Sequence, residues 1–252
     1  MTDMNVLEVA NVTKRFGSLV AVRDVSIAVE QGELRAVIGP NGAGKTTFFN
    51  LISGLFPPSS GSIAFDGRDI TALPAHRRVT LGMARTFQIT EIFPELSVFE
   101  NVRIGVEVAN GFRLRPWISA AEKADVHRRV EDILKVAGLA ASADRLVGEL
   151  AHGHQRAAEI AMALALRPHL LLLDEPTAGM GDQETYEVTK LVRRLHQSGN
   201  FTIVLIEHDM RVVFHLADKI SVLDRGRLLA EGTPQSIAAN EAVQEAYLGK
   251  AA

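Results

Sequence analysis

The stretch Gly39-Pro40-Asn41-Gly42-Ala43-Gly44-Lys45-Thr46 fits the pattern G-x-x-x-x-G-K-S/T in full. Leu34-Arg35-Ala36-Val37-Ile38 before it reads as a buried strand, and Thr46-Thr47-Phe48-Phe49-Asn50-Leu51-Ile52 after it reads as the start of a helix. A strand, a glycine-rich turn and a helix in that order constrain the chain to an α/β fold with a phosphate-binding loop. Glycines let the backbone curl so that successive N–H groups face one point, and the helix start adds the positive end of its dipole. In such a loop Lys45 reaches the β- and γ-phosphates of a nucleotide, and the Thr46 hydroxyl sits on Mg²⁺.

Composition narrows the class. Of 252 residues 47% are hydrophobic, enough for a sizeable core, and the formal net charge of -3 carries no basic footprint of a nucleic-acid binder. Without cysteine there are no disulfides, thiolate metal sites or cysteine nucleophiles. Met1-Thr2-Asp3-Met4-Asn5 lacks the basic and apolar regions of a signal peptide. No apolar run approaches the ~18–20 residues of a membrane span. A soluble cytoplasmic protein is expected.

Along the chain, strand-like alternation comes first. Val6, Glu8, Ala10 and Val12 share one parity, Val25-Ser26-Ile27-Ala28-Val29 follows, and Ser62-Ile63-Ala64-Phe65 closes in the hairpin-type turn Asp66-Gly67. From about Glu91 to Gly148 the texture is helical, with a helix over Ala120 to Val136 and Gly138 as its C-cap. Strands return at Leu170–Leu173, Phe201–Ile206 and Ile220–Leu223. Short apolar runs separated by helices predict a buried parallel sheet with the helical segment inserted into it.

Two further groups belong to the same chemistry. Leu170-Leu171-Leu172-Leu173 runs into Asp174-Glu175, which places two carboxylates at the carboxyl edge of the sheet, where α/β folds bind ligands. Asp174 is the candidate Mg²⁺ holder and Glu175 the candidate general base for an attacking water. After the apolar strand ending at Ile206, Glu207-His208-Asp209 places a histidine where it could touch the γ-phosphate edge. Leu150-Ala151-His152-Gly153-His154-Gln155-Arg156 precedes the helical run Ala157–Leu166, and a glycine at a helix start offers free N–H groups to an anion. Its distance along the chain from the phosphate loop fits an anion brought by a second subunit.

Taken with Gln88 in Thr86-Phe87-Gln88, these elements stand in the order of the nucleotide-binding subunit of an ATP-binding cassette transporter, and the chain resembles that family over nearly its whole length. The resemblance implies an α/β fold: a P-loop NTPase core with a parallel sheet, a small N-terminal antiparallel β subdomain and an inserted α-helical subdomain. It implies one cassette domain over 1–252, with 1–90 and 160–252 as core and 91–159 as helical subdomain. ATP would contact Phe16 and the loop Gly39, Pro40, Asn41, Gly42, Ala43, Gly44, Lys45, Thr46 and Thr47, Phe16 by stacking on adenine. Lys45, Gln88, Glu175 and His208 would be catalytic, and Thr46, Gln88 and Asp174 would hold Mg²⁺. Ala151, His152, Gly153, His154 and Gln155 would contact the ATP of the partner subunit.

Ile206-Glu207-His208-Asp209-Met210, the segment around Trp117, and the tail Glu231-Gly232-Thr233-Pro234 with Ala246-Tyr247-Leu248-Gly249 are similar to the branched-chain amino acid importer group, whose relatives also handle urea and short amides. Two departures stand out. The usual Leu-Ser-Gly-Gly-Gln is altered by Ala151, His152 and His154, and Gly181 occupies the usual aspartate position, with Asp182 one step later. The implied function is an ATPase that energises solute import. Its partners would be membrane permease subunits, a second ATPase subunit and, indirectly, a solute-binding protein. It would sit at the cytoplasmic face of the membrane and bind no nucleic acid. The permease contact would run through Gln88 and Phe93-Pro94-Glu95. The alternatives are an importer of urea or short amides, a cassette ATPase without a transport role, and a GTPase switch. The last lacks Asn-Lys-x-Asp.

Overall fold

The computed structural model describes residues 5–86, 92–111 and 119–248. β1 (Asn5–Phe16) and β2 (Leu19–Glu30) form a hairpin, and β3 (Leu34–Ile38) leads through the glycine-rich loop into α1 (Lys45–Ser53). β4 (Ser60–Phe65) and β5 (Arg68–Asp69) make a second hairpin. Its turn residues Asp66 (φ 47°) and Gly67 (φ 71°) are both left-handed, as a two-residue hairpin turn of this kind requires. α2 (Ala75–Thr80) and β6 (Met83–Arg85) follow, then α3 (Val98–Ala109), α4 (Ala120–Ala137) and α5 (His152–Ala165). The remainder alternates: β7 (Leu170–Asp174), α6 (Asp182–Gln197), β8 (Thr202–Ile206), α7 (Met210–Leu216), β9 (Lys219–Asp224), β10 (Arg227–Gly232), α8 (Pro234–Ala238) and α9 (Glu241–Leu248).

The strands form two sheets, ordered β2-β1-β4-β5 and β10-β9-β3-β8-β7-β6. The first is antiparallel. The second is parallel from β9 to β6, with β10 added antiparallel at its edge. Every residue of β3, β7 and β8 is buried, as expected where a parallel sheet is covered on both faces. Alternation sends Leu34, Ala36, Ile38, Leu171, Leu173, Ile203 and Leu205 into the core beneath the helices. Val37, Leu170, Leu172, Val204 and Ile206 go into a second core shared with α1 and the N-terminal sheet. The expected α/β architecture is therefore what the chain adopts.

Two local details differ from the sequence pattern. In β1 the buried residues are Val6, Leu7 and Val9 and then Val12, while Glu8 and Ala10 face solvent. A register shift between Val9 and Val12, with Asn11 at φ 49°, inserts a residue and moves Val12 to the inner face. In addition, α5 starts at His152 rather than near Ala157, so the segment Ala151–Gln155 is itself the cap and first turn of that helix. The helical texture beyond residue 91 matches the structure. α3 and α4 each open with a serine–glutamate capping box, Ser97 with Glu100 and Ser119 with Glu122, and α4 closes on Gly138 at φ 75°.

Two buried arginines join the parts. Arg78 spends its guanidinium on the carbonyls of Leu51, Ile52, Ile70 and Leu73, capping the C-terminus of α1, and burial lowers its pKa to about 10. Arg35, in the central strand, bonds Glu33, Ser221, Glu231 and the Ala28 carbonyl, tying the two sheets together.

Candidate functional site

β3, β8 and β7 are adjacent and parallel, so the loops after Ile38, Ile206 and Asp174 meet along one edge of the sheet. That edge carries a cleft of ≈ 560 Å³, lined by Asn41, Gly42, Ala43, Gly44, Lys45, Thr46, Thr47, Glu175 and His208. Leu19, Val20, Ala21 and Arg225 complete its wall. The structure thus brings together the phosphate loop, the second carboxylate and the histidine from three distant parts of the sequence.

Glycine is required in the loop for reasons of space. A Cβ at Gly39 (φ 152°) would stand 2.1 Å from the Leu223 carbonyl oxygen, and one at Gly44 (φ 97°) would stand 2.5 Å from that of Ala21. The loop therefore lies directly on the backbone of β9 and β2. The Lys45 ammonium is folded back inside it, donating to the carbonyls of Gly39 (2.7 Å) and Pro40 (3.1 Å). Burial lowers its pKa from the ordinary lysine value, and the charge of Glu175 partly offsets this. Thr46 is exposed to the cleft.

Asp174 ends β7 almost fully buried. Arg85, at the end of β6, bonds its carboxylate at 2.7 Å and also reaches Asn50 Oδ1 (2.6 Å) and Ser53 Oγ (2.8 Å) on α1. Glu175 sits just beyond the strand with φ 47°, a left-handed backbone that side chains disfavour. Its N–H donates to the Ile206 carbonyl at 3.0 Å, and its Oε1 lies 2.8 Å from His208 Nε2. A carboxylate offers only acceptors, so Nε2 is the protonated nitrogen of that contact.

Glu207 is a further member of this site, with no role of its own expected from the sequence. Buried at 3% exposure, it accepts from the Thr177 N–H (3.1 Å), the Thr177 hydroxyl, the His208 N–H (2.7 Å) and the Asp209 N–H (3.3 Å). It thereby fixes the loop after β8 to the loop after β7. Its only sequence signal is a charged residue directly after an apolar strand. From the far end of the chain, the Tyr247 phenol on α9 comes near Gly39, and partial burial raises its pKa to about 12.

Other expected residues lie apart from the cleft. Phe16, at the end of β1, packs edge-to-face on Phe56 (5.4 Å, 88°) under the Lys14 ammonium and is half exposed. It borders solvent beyond Leu19, its partner across the hairpin. Ala151, Gly153 and His154 line a different groove, with α4 and α6. There the Gly153 N–H donates to Glu184 Oε1 at 3.1 Å, and Gln155 Nε2 donates to the Leu150 carbonyl at 2.9 Å. His152 and His154 are exposed. Gln88, Phe87 and Trp117 lie outside the described residues.

The residues fit a nucleotide. A curled loop at the start of α1 faces the cleft, with a lysine whose hydrogen bonds are to backbone carbonyls that phosphate oxygens can replace. The exposed Thr46 hydroxyl and the Asp174 carboxylate are hard oxygen donors of the kind Mg²⁺ takes singly or in pairs beside phosphates and water.

A family model described as "ABC transporter" matches residues 22–178, and one described as "Branched-chain amino acid ATP-binding cassette transporter" matches residues 227–252. The chain is 39% identical to the high-affinity branched-chain amino acid transport ATP-binding protein BraF of Pseudomonas aeruginosa, over 98% of each protein. It is 38% identical to the corresponding protein LivG of Salmonella typhimurium, over 97% of this chain and 98% of that one. Among solved structures, an ATP-binding cassette of an ABC transporter in its ADP conformation superposes with a TM-score of 0.85 at 32% identity. A nucleotide-free cassette gives 0.83 at 30%. Both alignments cover 98% of this chain and 100% of the other.

Proposed function

The chain belongs to the ABC transporter family as one of its ATP-binding ATPase subunits, and on that premise we propose that it energises the import of branched-chain amino acids. The carrying observation is the convergence of Lys45, Glu175 and His208 on one cleft at the carboxyl edge of β3, β7 and β8.

In this reading the loop Gly39–Thr47 and Lys45 hold the phosphates, Phe16 stacks on adenine, and Thr46, Asp174 and Gln88 would hold Mg²⁺, which would supply charge neutralisation to the phosphates. Arg85 keeps Asp174 aimed at that place by fixing it to α1. The Glu175 carboxylate takes the proton of the attacking water, and His208 orients that carboxylate through Nε2. Two copies, or this chain and a similar subunit, enclose ATP between one phosphate loop and the other's Ala151–Gln155 turn. With no serine hydroxyl at 151, the Gly153 amide carries that contact.

The core (1–90 and 160–252) and the helical unit (91–159) are joined by α5, which runs unbroken through residue 159. Closure of the pair pushes on membrane permease subunits fed by a solute-binding protein, with this chain at the cytoplasmic face. No described helix is long and apolar enough to cross a membrane by itself.

The test is hydrolysis by the purified chain with Mg²⁺ and ATP. Glu175→Gln is expected to slow turnover ~10²-fold or more while ATP binding persists. Turnover within about a factor of two of the parent refutes Glu175 as the base. With permeases and binding protein in vesicles, leucine, isoleucine or valine should stimulate hydrolysis, and stimulation by urea or short amides instead would overturn the solute assignment.

A further inference from the structure

We propose that Arg156, on α5, is a positioning residue for Glu175. Its side chain is 6% exposed and its guanidinium forks. Nη1 bonds Glu159 at 2.5 Å, and Nη2 donates to the main-chain carbonyl of Glu175 at 3.2 Å. Glu159 is as deeply buried as Arg156, so the pair is charge-compensated within the helix while the second arm serves the loop.

The carbonyl it reaches belongs to the one residue of that loop, glycine aside, with a left-handed backbone. Such a conformation is disfavoured for a side-chain-bearing residue and persists only where its surroundings impose it. Glu175 is held at both ends of its backbone unit. Its N–H is bound to Ile206 at the end of β8, and its carbonyl accepts from Arg156 and, at 3.2 Å, from the Ala178 N–H. With both peptide groups fixed, the Cα–Cβ direction is fixed too, and the carboxylate is delivered to the cleft beside His208.

Arg156 stands three residues after Gly153 on the same helix. A movement of α5 that seats the Gly153 amide on the partner's phosphate therefore moves the Glu175 carbonyl as well. Arg156 thus connects the surface that serves one nucleotide to the base that serves the other. This rests on the reading of Glu175 as the base.

The deciding variant is Arg156→Lys. A single ammonium retains the charge for Glu159 but cannot fork to the carbonyl. The expected result is a fall of about ten-fold in kcat, with the Kd for ATP and the melting temperature of the nucleotide-free protein unchanged. Arg156→Met with Glu159→Leu, which removes both charges together, should lower kcat in the same way and guards against a folding defect in any one variant. In a Glu175→Gln background neither change should slow the residual rate further. Parent-like kcat in Arg156→Lys, an equal loss in ATP affinity, or a full ten-fold loss persisting in the Glu175→Gln background would overturn the proposal. A parent protein that hydrolyses no ATP would instead count against the proposed function.

Discussion

Glu184 occupies the amide that the partner's phosphate is expected to need, and its removal has a definite sign. In the open chain its carboxylate accepts the Gly153 N–H at 3.1 Å, at the first turn of α5, where a negative charge also meets the helix dipole. A contact of this kind stabilises a helix start by roughly 0.5–1 kcal/mol. In the proposed closed pair phosphate takes the Gly153 amide, so that pair does not contain this contact. Glu184→Ala should therefore destabilise each open chain by about that amount and favour closure by the same amount at each of the two clamps, up to ~5-fold per clamp and roughly 30-fold in the homodimerisation constant at 1 kcal/mol per site. The melting temperature of the nucleotide-free protein should fall by roughly 2–4 °C for each kcal/mol lost. Sedimentation at several ATP concentrations, on a Glu175→Gln background that holds ATP, reads the dimer constant directly. If Glu184→Ala weakens the ATP-dependent dimer, the carboxylate belongs to the clamp and the competition argument is wrong.

Gly153→Asp should leave ATP binding by the single subunit intact and abolish ATP-driven dimerisation, checked on one sample by nucleotide binding and sedimentation. A Cβ at position 153 would already stand 3.1 Å from that of Glu184, and the new side chain adds a second carboxylate where phosphate must dock. Phe16→Ala should raise the KM for ATP about 5-fold or more with kcat preserved, since stacking on a base is worth ~1–3 kcal/mol; an unchanged KM assigns Phe16 to the Phe56 cluster alone. Tyr247→Phe should flatten the loss of stability at alkaline pH in thermal melts from pH 9 to 12. The unfolded phenol releases its proton near 10 and the folded one at about 12, so the parent's contribution is intact below pH 10 and lost as pH rises to 12. An identical slope in the variant would show that burial of this phenol does not govern the alkaline limb.

How much of this is legible in the sequence depends on how local each feature is. The loop Gly39–Thr46 is contiguous, and Gly39 and Gly44 answer to close backbone contacts while Gly42 answers to its positive φ. Asp174-Glu175 and His208 can be found because each follows an uninterrupted apolar strand. Arg85, Arg156 and Glu184 carry no comparable signal, because each acts on a residue 19 to 89 positions away and looks locally like an ordinary surface charge. Periodicity also cannot foresee a bulge. The shift at Asn11 reverses the inward parity of β1 between Val9 and Val12, and nothing in the alternation of Val6 to Val12 signals it.

The strand order has a consequence for how the molecule comes into being. β3 carries the phosphate loop and β7 the carboxylates, yet they do not pair, and β8, later in the chain than both, lies between them. During synthesis the loop and the carboxylates therefore exist long before they share an edge, and they acquire one only when Thr202–Ile206 is inserted. Parallel pairings at such separations form late, because loop closure precedes any gain from contact. Nucleotide binds the finished sheet and adds its binding energy only there. ATP accordingly stabilises completed molecules and gives no support to a chain halted before β8.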